Sequence, residues 1–277
     1  MYPSTTRTDT FQERTRHIIS NFLYAQLHQF IATCCDDILP AEIDLASSTH
    51  ALDVACGCGD WISTLAYRYP HIFFTGIDSD PQRISYARAY TQAQRLTNTH
   101  FIQGDMYRLY ACLNTFYDLV HARFLAAETA PRAWRRLVPA LVSVCRRGGW
   151  LVWTEAAYPT TNGPACQRWC ELHRVATRHA GHTVDVTSHM DRLLKVAGCQ
   201  GVQRVVTDID LSYGTHAHRM LSMQVWNTLG FAMHFLVTMG VLPPNELESL
   251  REEIMQELAG ENFNGHWELV TVVGNMK

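Results

Sequence analysis

The chain has 277 residues, 47% of them apolar and 18% charged, and a formal net charge of −3. So apolar a composition excludes a disordered chain, and so small a charge excludes a general electrostatic hold on nucleic acid, which leaves a small molecule as the expected partner. The length suffices for one α/β domain carrying an insertion.

Residues Met1 to Arg16 scatter Arg, Asp, Glu and Thr and contain no apolar signal core, so a cytoplasmic protein is expected. From about Phe11 to Ile38, apolar side chains such as Ile18, Phe22, Leu23, Leu27, Phe30 and Ile31 recur at helical spacing. They predict N-terminal helices within residues 1–44, stopped by Pro40. Short β-rich runs follow at Ala51–Ala55, Ile72–Ile77, Thr99–Ile102, Asp118–His121 and Trp150–Thr154, separated by helical patterns such as Trp61–Arg68 and Pro81–Gln94. This alternation predicts a parallel sheet wrapped by crossover helices in a single domain, residues 45–277. Pro131 and Pro139 bracket the start of the helix before the fifth strand, and Arg147-Gly148-Gly149 supplies the turn that ends it.

Beyond that strand the pattern changes. A loop from Tyr158 to Pro164 leads into a predicted helix from about Ala165 to His179, and a second helix, about Ser188 to Val196, leads into a strand at Gln203–Leu211. The long apolar stretch Arg219 to Met239 is broken by Gln224, Asn227 and His234, which argues against a membrane span and for a cap helix or a dimer face, in a monomer or homodimer. An acidic helix opened by Pro243-Pro244 and a last strand at Trp267–Val273 complete the chain. Residues 159–189 and 214–260 are thus expected to form a helical cap. Nine scattered cysteines predict reduced thiols. Cys56 and Cys58 have no second matching pair, and His179, His182, His189 and Asp191 match no ligand spacing, so no metal is expected.

The run Ala51-Leu-Asp-Val-Ala-Cys-Gly-Cys-Gly-Asp60 reads as a strand, a glycine-rich turn and a helix start. Gly57 and Gly59 allow positive φ and close approach of a ligand to the backbone. The next strand ends Phe74-Thr-Gly-Ile-Asp78, placing a carboxylate where it can accept both hydroxyls of a ribose. The third ends Phe101-Ile-Gln-Gly-Asp105-Met106, where an acid can accept from an adenine amino group and Met106 can pack on the ring. Three acids at successive strand tips read as one nucleoside site, although Asp78 before Ser79-Asp80-Pro81 also has the look of a helix cap.

These motifs, with Tyr117-Asp118-Leu-Val120 and Arg147-Gly-Gly149, resemble the class I methyltransferases over roughly residues 45 to 160, and Asp118 to Leu125 is similar to their small-molecule branch in secondary metabolism. The resemblance implies a Rossmann-like α/β fold with seven strands in the order 3-2-1-4-5-7-6, the seventh antiparallel. It also implies S-adenosylmethionine held by Asp53, Ala55, Cys56, Gly57, Gly59, Asp78, Ser79, Gly104, Asp105, Met106, His121, Ala122 and Arg123. Ala55 stands where the family most often has glycine, and Ile62 replaces the last glycine of the dinucleotide pattern, which weakens NAD as the ligand. Glu155 and His121 are the catalytic candidates, Glu155 as a general base or as a holder of a cationic substrate. Arg123, Glu155, Tyr158, Trp169, Trp226, Phe231 and Phe235 are the expected substrate pocket. The expected reaction is methyl transfer to O, N or C of a small hydrophobic metabolite. Two alternatives stand beside it: a cyclase or pericyclase that keeps the cofactor unconsumed, and a cofactor-binding regulator.

Overall fold

The computed structural model describes residues 30–31, 33–34, 39–40 and 43–276, without the side chains of residues 127, 224–228 and 230–232. The helices expected within residues 1–44 lie almost wholly outside the described residues, although Phe30 and Ile31 appear buried against the rest of the chain.

Eight strands form one sheet: β1 (His50–Val54), β2 (Phe73–Asp78), β3 (Thr99–Gln103), β4 (Tyr117–Arg123), β5 (Cys145–Ala156), β6 (Thr160–Thr161), β7 (Gln200–Asp210) and β8 (Gly265–Asn275). Their order is β3-β2-β1-β4-β5-β8-β6, with β7 pairing the other edge of β8. Strands β1 to β5 are parallel, and β8 runs antiparallel to both β5 and β7. The expected seven-stranded count is short by the two-residue β6, which pairs with Gly265 and His266. With β6 set aside, the last two strands occupy the expected places, β8 inside and β7 at the edge.

The central strands are buried on both faces, as a sheet covered by crossover helices requires. Alternation of period two sends neighbouring residues to opposite layers. Ala51, Leu119 and Val152 join Trp61, Ile62, Leu65, Ile84 and Ala87 from α1 (Asp60–Arg68) and α2 (Pro81–Ala93). Leu52, Val120 and Leu151 pack instead with Leu137, Leu141, Met190 and Leu194 from α4 (Trp134–Ser143) and α6 (Met190–Val196). A single turn of helix, α3 (Leu109–Cys112), follows β3.

One local expectation holds and one fails around β5. Helix α4 starts at Trp134, between Pro131 and Pro139 as expected, with Pro139 inside it, but Arg147-Gly148-Gly149 lies inside β5 at a shift of its register with β4. Gly148 has φ of +80°, and a Cβ on Gly149 would sit 2.9 Å from the Asp118 carbonyl, so the glycines serve a bulge and not a helix-ending turn. Three further helices, α5 (Pro164–His179), α7 (His216–Thr238) and α8 (Leu247–Ala259), share a separate core that includes Ala165, Met233, Leu236, Leu250, Ile254 and Leu258. The acidic helix opens with a 3₁₀ turn, Pro244–Glu246, and its Glu257 caps α5 by accepting from the Ala165 and Cys166 amides at 2.7 and 2.9 Å. No helix among the described residues is long and apolar enough to cross a membrane. The described cysteines are all free thiols.

Asp118, at the start of β4, accepts the Thr49 and His50 amides at 2.8 and 3.0 Å and pairs with Arg146 at 2.6 Å. Burial pushes its carboxyl up, but those donors and the guanidinium hold it below the usual range. Asp118→Ala should cost about 1–2 kcal/mol in urea unfolding at neutral pH. A depressed carboxyl contributes above its unfolded pKa and loses that contribution as pH falls through its folded value, so the gap between wild type and variant should close below about pH 4. A gap that persists in acid would mean that packing, not the carboxylate, is lost.

Candidate functional site

The turn after β1 is left-handed at three positions, Ala55 (φ 56°), Gly57 (φ 56°) and Gly59 (φ 78°). The two glycines serve different ends. A Cβ on Gly59 would meet the Phe101 ring at 2.8 Å, whereas one on Gly57 would meet nothing within 4 Å, so the outer face of the turn at Gly57 is open. Asp78, 4% exposed at the tip of β2, accepts the Gly57 amide with one oxygen and the Asp80 amide with the other, both at 2.9 Å. Burial raises its pKa against those two amides and Arg83, 3.8 Å away. The cap of α2 is Asp80, which accepts from Gln82 and Arg83. Asp78 is therefore a clasp on the turn, with lone pairs to spare.

Asp53 and His121 face each other in the register of β1 and β4, and His121 Nδ1 lies 2.8 Å from Asp53 Oδ1, both side chains buried. Burial lowers the His121 pKa despite Asp53, so the neutral imidazole donates Nδ1–H to the carboxylate. Its other restraint is Trp61, stacked 3.9 Å away at 1°. Arg123 is half-buried, and its pKa is lowered by burial against the charges of Asp53 and Asp60. The Ala122 side chain belongs to the core. Asp105 is exposed and accepts the Tyr107 amide at 2.8 Å, Met106 beside it is half-buried, and Ser79 is exposed. Cys56 is a buried thiol whose pKa burial pushes well up, and Gly104 is there for packing, since a Cβ would lie 2.7 Å from Ile77.

Beyond β4 and β5 lies an open cavity of about 340 Å³, lined by Phe124, Glu155, Tyr158, Trp169, His173 and Trp267 among others. Glu155, 2% exposed, accepts the Leu125 amide and the Trp153 indole N–H at 2.8 Å and the Ala126 amide at 3.4 Å. Burial raises its pKa to about 7 in spite of these donors. It thus fastens the exit of β4, where Phe124 is held at φ 56°. Of the expected pocket residues, Tyr158, Trp169 and Glu155 line the cavity, and Phe235 approaches it through the His173 ring at 5.8 Å. The side chains of Trp226 and Phe231 lie outside the described residues. Sequence reasoning passed over His173, Thr177 and Trp267. A signal existed for two of them, because Trp169, His173 and Thr177 recur every fourth residue along one face of α5.

Residues 51–149 match a family model described as a methyltransferase domain, and over that span the class I resemblance holds. The secondary metabolism regulator laeA of Aspergillus fumisynnematus is 23% identical over 219 residues, 76% of this chain and 56% of that protein. The chain therefore spans little more than half the length of this relative. The methyltransferase grgD of a Penicillium species is 28% identical over 132 residues, 43% of each chain. Among solved structures, phosphoethanolamine N-methyltransferase 2 of Haemonchus contortus, in complex with phosphomonomethylethanolamine and S-adenosylhomocysteine, aligns with a TM-score of 0.57 at 13% identity. That alignment covers 100% of this chain and 62% of the other, and it shows the shared fold.

Ala55 occupies a left-handed conformation that costs a non-glycine residue about 1–2 kcal/mol. Ala55→Gly should raise stability by about 0.5–1 kcal/mol after the extra backbone entropy of glycine, and a lowered urea midpoint would show that the turn is unstrained. The raised Glu155 carboxyl binds a proton that the unfolded chain has already released. Between pH 4.5 and about 7, wild type should therefore lose stability relative to Glu155→Gln as pH rises. A constant difference between the two across that window would contradict a buried, raised carboxyl.

Proposed function

Taking residues 51–149 as a methyltransferase domain, we propose that the chain binds S-adenosylmethionine across the tips of β1 to β4 and methylates a small, largely apolar acceptor in the adjoining cavity. The observation that carries this reading is Asp78: a buried carboxylate clasping the Gly57 amide, with lone pairs to spare, beside a turn whose outer face is open. The residues present fit such a nucleoside. Asp78 would accept the ribose hydroxyls, Asp105 the adenine amino group, and Met106 would cover the ring. The backbone of Ala55, Cys56, Gly57 and Gly59 would line the cofactor, as would that of Ala122 near the end of β4. Ser79 and Gly104 border the site through their backbone only.

S-adenosylmethionine would supply an electrophilic methyl group on a sulfonium, so the protein has to provide alignment and dryness more than acid–base power. Asp53 and His121 act as a positioning pair, since the imidazole is spent on the carboxylate and on the Trp61 face. Glu155, committed to three N–H donors, positions the Phe124 turn between the two subsites in place of serving as a free base. Arg123, expected in the substrate pocket, ends β4 just before Phe124 and is not among the residues that line the cavity. The helices within 159–189 and 214–260 close over the strand tips and choose the acceptor, with Trp169 and Phe235 as walls. The name of the laeA relative favours a second reading, in which methyl transfer or cofactor binding serves regulation of secondary metabolism.

Calorimetry should show S-adenosylmethionine or S-adenosylhomocysteine binding at micromolar levels, roughly −7 to −9 kcal/mol. Asp78→Ala should weaken that binding by about 1–3 kcal/mol by leaving ribose hydroxyls unpaired. Wild-type protein that binds neither ligand would sink this reading. Release of S-adenosylhomocysteine in the presence of a small acceptor separates catalysis from binding alone.

A further inference from the structure

The cavity beyond β4 and β5 is lined mostly by apolar groups and carries a polar cluster on one wall, apart from Glu155 and Thr183. Tyr158 Oη lies 3.1 Å from His173 Nδ1 and 3.4 Å from Thr177 Oγ1, and Thr177 Oγ1 is itself 3.4 Å from the same nitrogen. The His173 ring is set among Tyr158, Trp169 and Phe235, with ring centres at 5.8, 5.9 and 5.8 Å. Its Nε2 has no hydrogen-bond partner among the described residues, although the side chain lines the cavity. Burial lowers the His173 pKa, so the imidazole is neutral at pH 7, and burial keeps Tyr158 a phenol by raising its pKa.

The charged or titratable groups near this wall are few. Arg174 lies over the Tyr158 ring, 4.6 Å from its centre, and pairs with Glu171. Cys170 is a buried thiol whose pKa burial raises to about 11. Glu155 lines the same cavity, but its oxygens are engaged by the Leu125, Ala126 and Trp153 N–H groups. No Lys or Arg lines the cavity among the described residues, so nothing there pairs with an anionic acceptor, and no uncommitted carboxylate pairs with a cationic one. Aromatic faces on Phe124, Trp169 and Trp267 suit a flat ring.

We propose that this wall is an acid–base subsite for a neutral aromatic hydroxyl, with His173 Nε2 accepting the hydroxyl proton as the methyl group is transferred. The inference rests on the methyl-transfer reading above. In the step, the acceptor oxygen forms its bond to the methyl carbon while the carbon–sulfur bond breaks and leaves its electron pair on sulfur. The sulfonium thereby becomes a neutral thioether, and the hydroxyl proton passes to His173 and then to solvent. The tautomer this requires has Nδ1–H donating to Tyr158 Oη, with the Tyr158 hydroxyl turned to Thr177, which leaves the Nε2 lone pair free. Tyr158 is then a positioning residue that fixes the ring and its tautomer.

The test uses phenol and 2-naphthol as probes, with benzylamine as a cationic control and 2-naphthoate as an anionic one. NMR titration of the His173 ring in the wild-type protein, with no S-adenosylmethionine present, should give a pKa below that of an ordinary imidazole. Addition of 2-naphthol should perturb that resonance, and neither control should. With S-adenosylmethionine, 2-naphthol should be methylated. His173→Gln should lower kcat by about 100-fold or more, as removal of a general base does, with S-adenosylmethionine affinity unchanged within about two-fold. Tyr158→Phe should lower kcat less and shift its acidic limb. Protein that binds S-adenosylmethionine but neither binds nor methylates either phenol overturns the assignment, as does a His173→Gln enzyme with wild-type kcat and pH profile. Failure to bind S-adenosylmethionine would instead overturn the preceding reading, while the titration with 2-naphthol would still report on the cavity.

Discussion

A carboxylate taken out of water must be given hydrogen-bond donors or lose its charge, and this chain meets that demand three times at the tips of its central strands. Asp78 on β2 takes the amide of the turn after β1. Asp53 on β1 takes the His121 ring of β4. Glu155 on β5 takes the amides that follow β4. Asp78 and Glu155 fasten segments that leave neighbouring strands and Asp53 fastens a side chain of β4 itself, so the three clasps hold the carboxyl ends of β2, β1, β4 and β5 as one surface. In an open parallel sheet this is the edge where ligands sit, and the loops there would otherwise be its least ordered part.

The same clasps account for the backbone strain beside them. Ala55 and Phe124, both at φ 56°, lie at the exits of β1 and β4, next to the amides held by Asp78 and Glu155. A left-handed alanine or phenylalanine persists only where its surroundings over-determine it. The Gly57 amide bond on one side and the Leu125 and Ala126 bonds on the other supply that restraint. Phe124 is thereby turned into the cavity wall.

The strands themselves were legible because burial on both faces leaves continuous apolar runs, their order came only with the resemblance to the class I methyltransferases, and the spacing of acids at strand tips was legible because each sits where a strand pattern stops. What the acids bond to was not. Glu155 meets Leu125 and Ala126 across 30 and 29 residues of sequence, and no local pattern signals such a bond, so a committed carboxylate read as a free one. The glycines at 148 and 149 misled for a related reason: a bulge and a helix-ending turn ask for the same residue, and only the strand pairs Tyr117–Cys145 and Leu119–Trp150 on either side of them decide between the two. His173 was overlooked because a lone histidine in an amphipathic helix is ordinarily unremarked. Its meaning comes from Tyr158, which approaches from a different element.

The two halves of the proposed site are built by different means. The proposed nucleoside side consists of backbone and short acids at the ends of strands, where the sheet fixes every position to within its hydrogen-bond register. The proposed acceptor side is carried by α5, which is tied at its first turn to Glu257 of α8. The position of His173 therefore depends on how α5, α7 and α8 pack around their own core, which reaches the sheet through Ile209 of β7 and Leu269 of β8. Changes in that core can reshape the acceptor wall while the three carboxylate clasps, and with them the nucleoside surface, keep their geometry.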